Sequence, residues 1–324
     1  MKNTFRLYGV GGTGANIVNT ITLQSILTGY PNCHKCIIDT STSNVGDVEN
    51  TFIIPGMNGA GSDRVEANRA FSRHKDRILT DFPPDDFNVV VFSSGGGSGA
   101  GMGPALLAEL IARGHTAVGI VITSCTSLKE AKNTINCIGT LQNLSINVLN
   151  KPIVCSFECN GLNEQSLEVI DNAVKQIAMC LAILSSGENH GVDKADIRHL
   201  FAYDKVTKVT PQLTQLSVFV GELKPESLNG IKTIASASLL PNNNHSELLI
   251  DQLYSFFGYL PEGYSNATTS TDEPIYYVVS ANTIPDQLAF FEEKASKFIS
   301  HMDEIIKTTP FKPAATSNNG FIDD

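Results

Sequence analysis

Positive charge is what this chain of 324 residues lacks most: 23 Lys and Arg face 33 Asp and Glu, for a formal net charge of -10. Sequence-independent binding to nucleic acid depends on neutralising many phosphates, so neither a broad footprint of that kind nor a direct nucleic-acid partner is expected, while a local basic patch stays open. Long apolar runs are missing too. None approaches the roughly 18 to 20 residues of a membrane span, and the start Met1-Lys2-Asn3-Thr4-Phe5-Arg6 leads into a strand with no signal-peptide core. The expectation is a cytoplasmic protein with no membrane partner. Cysteine is limited to seven residues, and its close pairs are Cys33-x2-Cys36 and Cys155-x3-Cys159, the second in or beside an apolar strand. That spacing favours reduced, mostly buried thiols over zinc ligation or redox work, and no resident metal site is assigned.

What the chain does have is glycine in two informative places. Asn88-Val89-Val90-Val91-Phe92 reads as a strand, Ser93-Ser94-Gly95-Gly96-Gly97-Ser98-Gly99-Ala100-Gly101-Met102-Gly103 as a loop, and Pro104 to Leu110 as helical. Backbone N–H groups approach an anion closely where no Cβ intrudes, and the free amides of a helix start add a favourable dipole. A strand, a glycine loop and a helix start in that order form a phosphate cradle, so the expected ligand is a nucleotide. No lysine lies between Asn88 and Gly114, which excludes the Walker A loop, whose lysine reaches the terminal phosphates. A second loop, Gly9-Val10-Gly11-Gly12-Thr13-Gly14-Ala15-Asn16, follows Phe5-Arg6-Leu7-Tyr8. Gly9, Gly11 and Gly14 fit dinucleotide spacing, so this loop alone is ambiguous, and one glycine loop alone can be a tight connector.

Strand-like and helix-like runs alternate through the first half, which predicts an α/β protein: a mostly parallel sheet covered by helices on both faces, with the ligand at the carboxyl ends of the strands. Leu167, Ile170, Val174, Ile177, Ala178, Leu181 and Leu184 recur at helical spacing in a long, largely buried helix from Asn163 to Ser185. A polar loop carrying Asp193 and Asp196 follows. Beyond it the pattern becomes that of a smaller α+β part, then a long amphipathic helix, then a polar tail ending Gly320-Phe321-Ile322-Asp323-Asp324. The expected divisions are 1–162 for nucleotide binding, 163–186 for the central helix, 187–284 for the α+β part, 285–308 for the amphipathic helix and 309–324 for the tail.

With these motifs in order, the chain resembles the tubulin/FtsZ superfamily of polymerising GTPases. Gly95-Gly96-Gly97-Ser98-Gly99-Ala100-Gly101 is similar to the family's Gly-Gly-Gly-Thr/Ser-Gly-Ser/Thr-Gly signature, with alanine at one hydroxylated position. Gly11 to Asn16 is similar to its first nucleotide loop, and Gly191-Val192-Asp193-Lys194-Ala195-Asp196-Ile197 to its catalytic Asn-x-Asp-x-x-Asp loop, with Gly191 in place of the asparagine. Short length and the tail make the divergent tubulins of large bacteriophages the nearest branch.

The resemblance implies a Rossmann-like GTPase part joined by the central helix to an α+β part. GTP or GDP with Mg²⁺ would lie on Gly11, Gly12, Thr13 and Asn16 and on Gly95, Gly96, Gly97, Ser98 and Gly99. Asp39 and Thr40 would stand near the sugar and Mg²⁺, Gly59, Ala60 and Gly61 would sense the γ-phosphate, and Glu130 would hold the ribose, although Thr134 stands where FtsZ proteins carry an arginine. Asn172, with Asn160 second, would read guanine. Asp193 and Asp196 would act on the next subunit's GTP, because a helix of about 20 residues holds them roughly 30 Å from their own. The bare residues also allow these aspartates simply to cap a short helix. The implied partner is the protein itself in a filament, with the tail contacting a neighbour, in the host bacterial cytoplasm, positioning phage DNA. A non-hydrolysing nucleotide-binding scaffold is the alternative; a nicotinamide dehydrogenase is disfavoured because it leaves Ser94 to Gly103 without a purpose.

Overall fold

The computed structural model describes residues 4–21, 33–43, 50–160, 167–186, 191–223, 225–241, 252–260 and 273–307. Six strands, β1 (Phe5–Val10), β2 (Cys33–Asp39), β3 (Thr51–Ile53), β4 (Phe87–Ser93), β5 (Thr116–Ser124) and β6 (Ile153–Asn160), pair in parallel in the order β3-β2-β1-β4-β5-β6. β7 (Leu213–Val220) continues this sheet through Ile153↔Leu213, Val154↔Thr214 and Cys155↔Gln215. Beyond β7, β10 (Ile275–Ser280) pairs antiparallel with β7 and with β8 (Thr233–Leu240), and β9 (Tyr254–Tyr259) lies parallel at the edge of β8. The α+β part therefore shares one ten-stranded sheet with the parallel part.

Continuous apolar runs such as Val89 to Phe92 belong in a strand buried on both faces. Val89 and Val91 of β4 enter the core filled by α1 (Gly11–Thr20) and α5 (Leu167–Ser185). Val90 and Phe92 enter the opposite core, filled by α2 (Arg64–Asp81), α3 (Ser98–Ala112), α4 (Leu128–Asn143) and α7 (Ile284–Lys307). α5 packs on β6 and β1 beside α1 and α6, and Tyr277 Oη of β10 donates to the Cys180 carbonyl at 2.6 Å. α6 (Lys194–Phe201) packs its Ile197, Leu200 and Phe201 into the same core. Among the described residues no helix is long and apolar enough to cross a membrane.

Several elements differ from their sequence reading. α3 begins at Ser98 rather than Pro104, because Gly101 and Gly103 serve close packing inside the helix: a Cβ at Gly101 would stand 2.3 Å from the Arg64 carbonyl oxygen, and one at Gly103 2.2 Å from the Phe92 ring. β2 begins at Cys33 rather than at Cys36, where its apolar run starts, because Cys33, His34 and Lys35 are held by pairing with Phe5, Arg6 and Leu7. Leu167, counted in the apolar stripe of the central helix, is the exposed first residue of α5. The segments 161–166, 187–190 (with Asn189) and the tail from 309 lie outside the described residues. All seven thiols are free; Cys36, Cys125, Cys137, Cys155 and Cys180 are buried, and burial pushes the Cys137 and Cys180 thiols up to about 12.

Candidate functional site

The carboxyl edge of β1 and β4 carries two helix starts side by side, and neither has a side-chain cap. The residue before α1 is Val10 and the one before α3 is Gly97, whereas Asp63, Ser127 and Asp193 cap α2, α4 and α6. Uncapped starts leave backbone N–H groups without intrahelical partners, and together they favour an anion. Between them is a cavity of about 300 Å³ lined by Val10, Gly11, Gly12, Thr13, Asn16, Ser93, Gly96, Gly97, Ser98 and Gly99. The two loops touch backbone to backbone. Gly11 has φ +71°, and a Cβ there would lie 2.6 Å from the Gly99 nitrogen. A Cβ on Gly96 would meet nothing within 4 Å.

A second tier of residues braces this cavity. Thr40 Oγ1 and Ser98 Oγ share a hydrogen bond of 2.7 Å, the Gly59 N–H donates to the Thr40 carbonyl at 2.8 Å, and the Thr40 N–H donates to Asp39 Oδ1 at 2.7 Å. Asp39 is buried; desolvation raises its carboxyl above the usual range, against the hydrogen bonds from Thr40 and Ser98. Gly59, Ala60 and Gly61 thus adjoin the signature loop, and Lys129 Nζ donates to the Gly61 carbonyl at 2.9 Å. Glu130 flanks Gly95 and accepts from Ser124 Oγ at 2.6 Å and from Thr126 Oγ1. Burial works to raise this carboxyl, but those hydroxyls outweigh it and hold it below the ordinary range.

One bracing residue escaped the sequence reading. Asn133 is buried on α4, and its Nδ2 donates to the Gly95 carbonyl at 2.9 Å, with the Ser62 carbonyl at 3.4 Å and the Gly96 carbonyl at 3.5 Å. A single amide therefore clamps the signature loop to the loop before α2. Its signal was available as the position three after Glu130, which shares a helix face with it. Gly95 itself faces this clamp rather than the cavity. The remaining candidates stand apart: Asn160 ends β6 opposite Ser124, its buried Oδ1 without a hydrogen-bond partner among the described residues, and Asn172 is exposed on α5. Neither lines the cavity.

Asp193 and Asp196 sit at the opposite edge of the sheet. Lys194, between them, pairs at 2.9 Å with Asp86, which immediately precedes β4 and also accepts the Thr4 N–H ahead of β1. The cavity is at the far ends of those strands. β4 has seven residues, so at about 3.3 Å per residue the two features are on the order of 20 Å apart. Asp193 Oδ1 accepts the N–H groups of Ala195 at 2.7 Å and Asp196 at 3.0 Å, while Asp196 Oδ2 accepts the Asp193 N–H at 3.2 Å, a reciprocal capping box. The capping role allowed by the sequence is thus present. Tyr254 of β9, which sequence reasoning did not single out, donates from Oη to Asp196 Oδ1 at 3.1 Å.

A parallel α/β sheet with paired glycine helix starts at one edge and a carboxylate turn at the other defines a recognisable class, and comparison with known proteins agrees. The model of the tubulin/FtsZ family GTPase domain matches residues 6–151. A phage tubulin-like protein of Pseudomonas phage PhiPA3 is 30% identical over 239 residues, 72% of each chain, and one of Pseudomonas phage phiKZ is 27% identical over 309 residues, 89% of this chain and 88% of that one. Among solved structures, the phage tubulin PhuZ with GDP superposes with a TM-score of 0.84 at 21% identity, covering 98% of this chain and 99% of that one. A protofilament of TubZ from bacteriophage phiKZ gives 0.80 at 24% identity, covering 99% of each. The chain belongs to the tubulin/FtsZ family.

Proposed function

We propose that this protein is a filament-forming GTPase whose active site is completed between subunits. The carrying observation is the separation just described: phosphate-type donors at one sheet edge and the carboxylate turn at the other, so that only a second copy can bring them together. A head-to-tail contact that does not close into a ring produces a filament. Relatives whose solved forms are a protofilament and a filament support this reading.

In it, residues 1–162 hold the nucleotide, the helix of 163–186 spans to the turn, and 187–284 presents the carboxylates to the neighbour. The amides of Gly11, Gly12 and Thr13 and those from Gly96 to Gly99 receive the phosphates, Glu130 the ribose, and Asn172 and Asn160 the base. The donor set fits: it offers uncapped N–H groups, an open surface at Gly96 and no cationic side chain of its own. Asp39, Thr40 and Ser98 would stand beside Mg²⁺, which when bound neutralises phosphate charge. Asp193 and Asp196 orient water toward the γ-phosphorus of the neighbouring subunit; the new P–O bond forms as the bond to the β-phosphate oxygen breaks, and the water proton passes toward a carboxylate. The resulting filaments act in the host cytoplasm to position phage DNA, with the tail of 309–324 bridging neighbours; deleting Gly320 to Asp324 then raises the critical concentration without changing nucleotide affinity.

The capping box favours a second reading, since both aspartates already have structural employment: a nucleotide-binding scaffold that does not hydrolyse. Light scattering at several protein concentrations after addition of GTP, GDP or a slowly hydrolysed analogue, with phosphate release in the same samples, separates the two. Phosphate release that rises at the assembly threshold supports the filament GTPase. Assembly without phosphate release supports the scaffold, and turnover independent of concentration overturns the shared site.

A further inference from the structure

We infer that Tyr254 is a positioning residue for hydrolysis, holding the Asp196 carboxylate in its working orientation from outside the turn. The inference rests on the proposed interfacial GTPase and extends it to a residue of the second part of the sheet. The two aspartates are fixed in different ways. Asp193 is held by N–H groups of its own helix start, those of Ala195 and Asp196. Asp196 has one oxygen on the Asp193 N–H at 3.2 Å and the other on Tyr254 Oη at 3.1 Å, a bond across 58 positions.

An Asp side chain rotates freely enough that one contact from the capping box leaves its second oxygen undirected. The hydroxyl from β9 removes that freedom, fixing the carboxylate plane while leaving each oxygen a lone pair for water. A productive water needs such fixed geometry, since small misplacements of catalytic groups are expensive in rate. The tyrosine is itself held. Its ring meets His199 edge-on at 5.8 Å and Phe256 at 5.9 Å. His199 Nδ1 stands 3.5 Å from the hydroxyl, so the shorter contact, to the carboxylate, takes the proton. Burial, followed by the Asp196 contact, pushes the phenol up to about 12, and Tyr254 stays a protonated donor across the physiological range. Because β9 is the edge strand, beyond β8 in the sheet, this bond makes the carboxylate geometry depend on how that edge is docked.

The test uses the full chain and compares Tyr254→Phe, Asp196→Asn and the double variant, reading GTP turnover per assembled subunit and the critical concentration with a slowly hydrolysed GTP analogue. Phenylalanine keeps the ring contacts and removes only the hydroxyl. The expected result is a three- to tenfold fall in kcat for Tyr254→Phe at unchanged critical concentration, with the double variant no slower than Asp196→Asn alone, since a residue acting through Asp196 has nothing left to position. Wild-type turnover in Tyr254→Phe while Asp196→Asn is impaired overturns the positioning role alone. A raised critical concentration that accounts for the lost turnover overturns it in favour of a purely structural contact. Wild-type turnover in Asp196→Asn overturns the interfacial reading and the inference with it.

Discussion

Thr40 Oγ1 and Ser98 Oγ lie 2.7 Å apart, joining the end of β2 to the first residue of α3 across 58 positions of chain. The contact ties the loop that carries Asp39 to the helix start that would receive phosphate, so charge at Asp39 and occupancy of the cavity are physically linked.

Asp39 supplies a pH prediction. Desolvation raises its folded-state carboxyl above the ordinary range, so as pH rises the unfolded carboxyl loses its proton first and the native state binds more protons; stability from this group therefore falls with pH through that window and stays low above it. Asp39→Asn, whose amide oxygen still accepts the Thr40 N–H, is expected to raise Tm at pH 7 by on the order of 2–4 °C. Below about pH 3, where the unfolded carboxyl is also protonated, the difference vanishes. Thermal melts at the two pH values without nucleotide check it.

Neighbouring glycines of the signature are expected to behave differently. A Cβ at Gly97 would stand 2.7 Å from Ser62 Cα and 2.8 Å from the Asp63 nitrogen, both backbone, so Gly97→Ala costs about 1–3 kcal/mol of stability. Gly96→Ala meets no protein atom within 4 Å and should leave stability within about 0.5 kcal/mol of wild type. Its methyl instead enters the cavity, and GTP affinity falls about tenfold or more, a loss of at least ~1.4 kcal/mol. Melting and a labelled-GTP titration on each variant separate folding from binding.

Removing the Asn133 clamp leaves the Gly95 carbonyl without its buried donor, at a cost of about 1–3 kcal/mol. Asn133→Asp is expected to be worse than Asn133→Ala, because a carboxylate would then face the three carbonyl oxygens of Ser62, Gly95 and Gly96. Tm and GTP affinity should fall together, since the clamp holds the signature loop that lines the cavity; a fall in Tm alone would show that the clamp does not shape the site.

At Asp193 the capping and hydrolytic roles can be pulled apart. Asp193→Ala loses the cap of α6, about 0.5–2 kcal/mol, whereas asparagine is among the best capping residues and keeps it. Under the proposed function both variants lose turnover and retain GTP binding, with longer-lived filaments. Normal turnover in Asp193→Asn at wild-type Tm would leave the residue as a cap and nothing more.

Local chemistry made much of this legible. The strand from Asn88 to Phe92 and the glycine runs after it and after Tyr8 need only nearest-neighbour properties to be read: β-branched runs bury on both faces, and glycine lets backbone approach backbone. The 3.6-residue spacing of Ile170, Val174, Ile177 and Leu181 announced α5, and Asp193 with Asp196 three later announced a cap. Less was legible where one residue type served two ends. Gly101 and Gly103 read as loop because glycine weakens a helix, yet they sit inside α3, where the Arg64 carbonyl and the Phe92 ring leave no room for a side chain.

By itself, then, the order of residues determined the α/β class, the two glycine helix starts and the paired carboxylates, each set by contacts within a few positions of chain. Only the tertiary structure decided that the starts after β1 and β4 face one cavity, because parallel pairing aligns their carboxyl ends. The distance of Asp193 and Asp196 from the cavity was expected from the length of the central helix; the fold fixes where they sit through the Lys194–Asp86 pair at the head of β4, and it alone brought Asn133 to Gly95 and Tyr254 to Asp196. Those contacts join residues 38 and 58 positions apart. Packing of separate helices and strands creates them, and no local propensity encodes which distant side chain will meet which backbone.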